Sequence, residues 1–209
     1  MSLNAAPSSD RIHIGIFGKR NAGKSSLINA VTSQNLAIVS DIKGTTTDPV
    51  QKAMELLPLG PVVMIDTPGL DDEGELGALR IRKAYQVLNK ADIAVLVVDS
   101  SEGMTREDER ILEKIWEKKI PYVIAFNKSD LTIRHSHESE ITAPIVDSID
   151  ESHCISVSAL TGEHIRELKE LIAKQAPTAE TKKHIAADLI HPGDFVVLVI
   201  PIDSSAPKG

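Results

Sequence analysis

The sequence predicts an α/β fold: a mostly parallel sheet of about six strands with helices on both faces. Three observations predict it. Apolar, β-branched runs alternate with helical patterns along most of the chain, which is the signature of strand–helix–strand crossovers. One of those runs, "DIAVLVVD", is apolar almost without interruption, as a strand buried on both faces must be. A glycine-rich turn, "GKRNAGKS", joins the first strand to the first helix.

In chain order, "IHIGIF" reads as a strand and "GKSSLINAVTS" as the helix after the turn. Residues 36–57 are less regular, but "QKAMELL" before "LGPVVMI" has the look of a hairpin partner for the strand "PVVMID". Residues 76–90, "LGALRIRKAYQVLNK", form an amphipathic helix, and "DIAVLVVD" follows as the buried strand. "TREDERILEKIWEKK" opens on a Thr cap, with acids in its first turn and bases in its last, both of which suit the helix dipole. "PYVIAFN" is a strand. "HESEITAPIVDSID" is a weaker helix because Pro144 interrupts it, removing an N–H and crowding the preceding turn. "HCISVS" is a strand, with Cys154 as a core residue, and "TGEHIRELKELIAKQ" closes the pattern as a helix. Three segments are expected: a flexible lead-in over residues 1–10, a globular domain over 11–176, and a linker with one further strand over 177–209. That strand, near 195–202, arrives after the sheet is complete. It reads as the first strand of a second, unfinished domain, because an unpaired strand is a liability.

Composition narrows the function. The chain has 209 residues, 42% hydrophobic and 25% charged, with a net charge of −7. An acidic protein is a poor partner for a nucleic-acid backbone or an anionic membrane. Aromatics make up 3%, too few for a base-stacking surface. A single cysteine, Cys154, excludes an internal disulfide and any multi-cysteine metal site, and the scattered histidines make no metal site. A reducing cytoplasm is the expected compartment.

The motifs point to a phosphate-bearing ligand. "GKRNAGKS" fits G-x-x-x-x-G-K-[ST] between strand and helix. In such a loop Gly18 and Gly23 let the backbone approach closely. The N–H groups of Asn21, Ala22, Gly23, Lys24, Ser25 and Ser26 then wrap phosphate oxygens at a helix N-terminus. Lys24 would reach the β- and γ-phosphates, and Ser25 would ligate Mg²⁺. "VVMIDTPGL" sets Asp66 at a strand end on the same sheet edge, where a carboxylate can hold a Mg²⁺-bound water. Gly69 would offer its N–H to the γ-phosphate. "FNKSD" predicts the base: Asp130 can accept from the N1–H and N2–H₂ of guanine, and adenine lacks both donors there. Asn127 would bind the base edge and brace the phosphate loop, while the Lys128 stem covers the ring. In "SVSALTGE", Ser158, Ala159 and Leu160 flank the base, with the Ala159 N–H aimed at guanine O6.

These four motifs, in this order and spacing, resemble the Ras-like P-loop GTPases over residues 11 to about 176. "NAGKSSLINA", "GTTTDPV" and "SALTGE" are similar to the TrmE–Era branch. "RIHIGIFGKRNAGKSSLINA", "GTTTDPVQKAMELLPLGPVVMIDTPGLDDEGELG" and "GDFVVLVIPIDSSAPKG" resemble the HydF family of [FeFe]-hydrogenase maturation GTPases. The resemblance implies GTP hydrolysis with Mg²⁺, the metal held by Ser25, Asp66 and Thr46, with Thr45 the neighbouring alternative. It implies a potassium ion near Asn21, acting in place of an arginine finger; Asn21 also reads as a residue that tolerates a left-handed turn. The position of the water-orienting Gln is Leu70, so hydrolysis is expected to be slow. Glu73 and Glu75, in the acidic "DDEGELG" segment, are candidates to hold the attacking water or are a solvated loop. Arg20 is expected to face solvent. The family's dimerisation and [4Fe-4S] domains have no counterpart here, so an iron–sulfur cluster and a homodimer are implied for the full-length protein alone. Implied partners are its own further domains, other maturation proteins and apo-hydrogenase. An Era-like RNA or ribosome-assembly role and a nucleotide-gated binding module are the alternatives.

Overall fold

A computed structural model describes residues 11–33, 40–42, 50–67, 82–132 and 149–176. Seven strands form one sheet: β1 (Ile12–Phe17), β2 (Ser40–Ile42), β3 (Val50–Leu56), β4 (Gly60–Asp66), β5 (Ile93–Asp99), β6 (Tyr122–Asn127) and β7 (Cys154–Ser156), in the order β2-β3-β4-β1-β5-β6-β7. The described helices are α1 (Lys24–Ser33), α2 (82–88), α3 (Arg106–Glu117), α4 (Ser129–Thr132) and α5 (Ile165–Lys174).

The predicted mostly parallel sheet is present. β4, β1, β5, β6 and β7 run parallel, and β2 and β3 are antiparallel additions at one edge. "QKAMELL" is the hairpin partner the sequence suggested, paired from Val50↔Asp66 to Leu56↔Gly60. The strand beyond the six predicted is β2, three residues long, in the less regular stretch 36–57.

β5 is buried at every position, and its alternation divides the core. Ile93, Val95 and Val97 face the layer that holds Leu27, Ile28, Leu168 and Ile172 of α1 and α5. Ala94, Leu96 and Val98 face Val87, Leu88, Ile111, Leu112 and Ile115 of α2 and α3. Period-2 strands clad by period-3.6 helices on both faces produce these two layers. Cys154 is half-buried rather than a core residue, packed at the margin of the second layer.

Helix starts follow local chemistry. α3 begins after Thr105 as predicted, and Asp108 Oδ2 accepts from the Thr105 main-chain N–H (3.1 Å) and from its hydroxyl (2.8 Å). α5 begins later than the sequence suggested: Gly162 and His164 take positive φ, so Thr161 to His164 are a turn and the helix starts at Ile165. The weaker helix over 137–150 falls almost wholly outside the described residues. The chain divides into two compact units, residues 1–176 and 177–209; the second, with its strand near 195–202, lies outside them too, as does the lead-in 1–10. Among the described residues no helix is long and apolar enough to cross a membrane.

Candidate nucleotide-binding site

Parallel strands deliver their C-terminal ends to one edge of the sheet, where ligands of such folds bind. Here β1 ends in the glycine loop, β4 in Asp66, β5 in Asp99 and β6 in Asn127. Two glycines of the loop have no substitute. A Cβ on Gly18 (φ +137°) would lie 2.2 Å from the Val97 carbonyl oxygen, and one on Gly23 (φ +91°) 2.2 Å from Asn127 Nδ2. The loop is therefore pressed against β5 and against the β6 motif.

Lys24 Nζ donates to the carbonyl oxygens of Gly18 (2.9 Å) and Lys19 (2.8 Å), and the residue is buried. Lys24 thus folds back over its own loop. Ser25 is exposed, and its hydroxyl donates to Asp66 Oδ2 at 2.7 Å. Asp66 Oδ1 is buried and finds no hydrogen-bond partner among the described residues. An unpartnered buried carboxylate oxygen is costly, and beside an exposed hydroxyl it suits a hard divalent cation such as Mg²⁺. Asn21 is exposed and sits at φ 64°, in the left-handed region. Arg20 is exposed, as expected.

Asn127 connects three segments. Its Nδ2 donates to the Ala22 carbonyl (2.9 Å), and its Oδ1 accepts from the Ala159 N–H (3.0 Å). The Ala159 N–H, predicted to meet guanine O6, here donates to Asn127. Asp130 Oδ1 accepts from the buried Ser158 hydroxyl (2.6 Å), and its Oδ2 carries no hydrogen bond among the described residues. A cavity of about 500 Å³ opens here, lined by Gly23, Ser26, Asn29, Lys128, Asp130 and Leu160 among others. Its size suits a small-molecule ligand. Leu160 is 85% exposed at the rim.

Thr45, Thr46, Gly69, Leu70, Glu73 and Glu75 lie outside the described residues. Sequence reasoning missed Asp99, Ser101, Glu102 and Asn29. Asp99 had a readable signal: like Asp66 and Asn127, it is a polar residue closing an apolar strand.

The chain matches the family described as "50S ribosome-binding GTPase" over residues 13–128. It belongs to this family. The match contains the glycine loop, Asp66, Asn127 and Lys128. The domain is accordingly a GTP-binding GTPase. The GTPase is 37% identical to the tRNA modification GTPase MnmE of Heliobacterium modesticaldum over 76% of this chain and 33% of that protein. It is 35% identical to GTPase Der of Wolinella succinogenes over 82% of this chain and 37% of that protein. The chain thus spans about a third of the length of these curated relatives. Among solved structures it resembles Aquifex aeolicus Era bound to GDP·AlF4⁻, with a TM-score of 0.60 and 28% identity, covering 80% of this chain and 57% of that one. The G domain of the Thermotoga maritima FeoB iron transporter matches with a TM-score of 0.53 and 25% identity, over 79% of this chain and 98% of that one.

Proposed function

We propose that this GTPase is the Mg²⁺-dependent, potassium-stimulated switch of a HydF-type hydrogenase maturation scaffold in the cytoplasm. The observation that carries the HydF reading is the long resemblance from "RIHIGIFGKRNAGKSSLINA" through "GTTTDPVQKAMELLPLGPVVMIDTPGLDDEGELG". Residues 11–176 are the catalytic domain in this reading, and 177–209 lead into a dimerisation domain. Its partners are the further domains of its own chain, the other maturation proteins and apo-hydrogenase.

Mg²⁺ would be held by Ser25, Asp66 and Thr46, and it supplies positive charge to the phosphates. The phosphate-loop N–H groups and Lys24 orient the β- and γ-phosphates and stabilise charge that develops there. The Lys24 contacts with the Gly18 and Lys19 carbonyls must be exchanged for phosphate oxygens on binding. Asp130 selects guanine and Ser158 fixes its carboxylate; Asn127 ties that pocket to the loop. The exposure of Asn21 leaves its amide available to a potassium ion. Glu73 or Glu75 holds the attacking water where Leu70 has no polar group, and Gly69 senses the γ-phosphate.

The test is genetic and chemical together. The gene is expected to encode three clustered Cys or His ligands downstream, and its deletion to leave hydrogenase without its cluster. Normal hydrogenase in the deletion strain overturns the scaffold role without touching the GTPase reading. A ribosome-assembly role is the second reading, favoured by likeness to Der and to an Era solved with MgGDPNP and nucleotides of 16S ribosomal RNA (28% identity, TM-score 0.59). Titration with ribosomal RNA at two salt concentrations separates the two, since phosphate contacts give a steep salt dependence.

A further inference from the structure

The loop after β5 was assigned no role by its sequence, yet it touches both halves of the site. Asp99, the last residue of β5, is 9% exposed and its carboxylate is fully engaged. Oδ2 accepts from Lys128 Nζ at 2.5 Å; Oδ1 accepts from the Ser101 N–H (2.9 Å) and the Ser101 hydroxyl (2.6 Å). The main chain repeats the connection, with the Ser100 N–H donating to the Asn127 carbonyl at 2.8 Å. Three residues on, Glu102 accepts from Lys19 Nζ of the phosphate loop at 2.8 Å. Burial pushes the Asp99 carboxyl up, but the donors Lys128 and Ser101 outweigh it and hold it below its ordinary value. Lys128 sits at φ 67°, a left-handed conformation that is unfavourable for a non-glycine residue, so something must hold it there.

We propose that Asp99 is a positioning residue for guanine-nucleotide binding: its carboxylate, oriented by Ser101, anchors the Lys128 ammonium so that the lysine stem forms one wall of the base cavity. Asp99 touches no nucleotide in this scheme and acts only through Lys128. An exposed ion pair such as Lys19–Glu102 contributes little. The Lys128–Asp99 pair is different: its carboxylate is largely buried and its second oxygen already saturated, so removing the lysine strands the acid. The proposal rests on the assignment of Lys128 and Asp130 to the base pocket.

A double-mutant cycle on the whole chain tests it, read as dissociation rates of fluorescent GDP and GTP analogues by stopped flow. Asp99→Asn keeps the size but sets an amide NH₂ against Lys128 or Ser101. It should speed dissociation of both nucleotides by about tenfold, the worth of one charge-assisted hydrogen bond. At saturating GTP the turnover rate should stay within about twofold, because the lost contact serves ground and transition state alike. Lys128→Met, which keeps the apolar stem, should have a similar effect, and the double variant should be no worse than Lys128→Met alone. Multiplying effects overturn the proposal, as does unchanged dissociation in Asp99→Asn. Ser101→Ala, which keeps the carboxylate and removes one donor, runs the same cycle if Asp99→Asn does not fold. Asp130→Asn is the control for the pocket itself: if it binds both nucleotides as tightly as the parent, the pocket assignment fails, whatever Asp99 does.

Discussion

Asp130 accepts from Ser158 through Oδ1 and carries no hydrogen bond on Oδ2 among the described residues, so one oxygen is fixed and the other is the one that meets guanine in the proposed function. Asp130→Asn replaces an acceptor with a donor facing the guanine N1–H or N2–H₂. GTP affinity should fall at least about tenfold, since each charge-assisted hydrogen bond is worth roughly 1.5–3 kcal/mol. A fluorescence titration with GTP that shows no change would move the base pocket elsewhere. Asn21 holds a left-handed turn and is the proposed potassium contact, and one substitution confounds the two. At φ 64°, Asn21→Ala removes the amide and also strains the turn, whereas Asn21→Gly removes the amide and keeps the backbone free. Hydrolysis by the parent should rise in potassium over sodium at equal ionic strength. Asn21→Gly should abolish that rise and leave GTP binding intact, because the loop's N–H groups do not depend on the side chain. Persistence of the potassium response in Asn21→Gly rejects the cation role.

The first turn of α1 and the first turn of α3 give contrasting predictions. Ser25 is exposed and bonded only to Asp66 among the described residues. Ser25→Ala should lose Mg²⁺-dependent binding while its nucleotide-free melting temperature stays within a degree or two of the parent's, as surface changes of about ±0.5 kcal/mol do. Lys24, expected to reach the β- and γ-phosphates, is buried and bonded to two loop carbonyls. Lys24→Ala should therefore cost some stability as well as binding. In α3, burial pushes the Asp108 carboxyl up, against the pull of the Thr105 donors and the Lys19 N–H. A carboxyl raised on folding makes the folded state bind more protons than the unfolded one. Its contribution to stability therefore falls as pH rises from the ordinary carboxylate value into the raised range. Thr105→Ala removes a donor from the charged form and should cost about 1 kcal/mol near pH 7, a typical cap loss. The cost should shrink as the solution is made acidic, because Asp108, its carboxyl raised by burial, then takes up its proton. Urea unfolding at neutral and at acidic pH measures the difference; an equal cost at both would show that the cap does not act through the charge.

For the whole molecule, nucleotide binding and folding are linked. GDP at about a hundred times its Kd should stabilise the domain by about 2.7 kcal/mol, which raises the melting temperature by about 5–10 °C for a domain of this size. ATP at the same concentration should leave it unmoved, and an equal shift would contradict guanine selectivity. The sequence by itself determined much of this protein. Strand and helix periods fixed the alternation, the all-apolar β5 marked a strand buried on both faces, and Gly18, Gly23, Asp66, Asn127 and Asp130 could be picked out as site residues before any coordinates. These signals are local: a period, a turn, a residue that ends a strand. The tertiary structure decided what is not local. The β2–β3 pairing depends on a partner strand; Lys24 folds onto carbonyls that only the closed loop presents; and Asp99 meets Lys128, 29 positions away. No spacing rule connects Asp99 to Lys128, because their meeting depends on β5 and β6 lying in register, Asp99 beside Asn127, so that two neighbouring strand ends bring a carboxylate and an ammonium together.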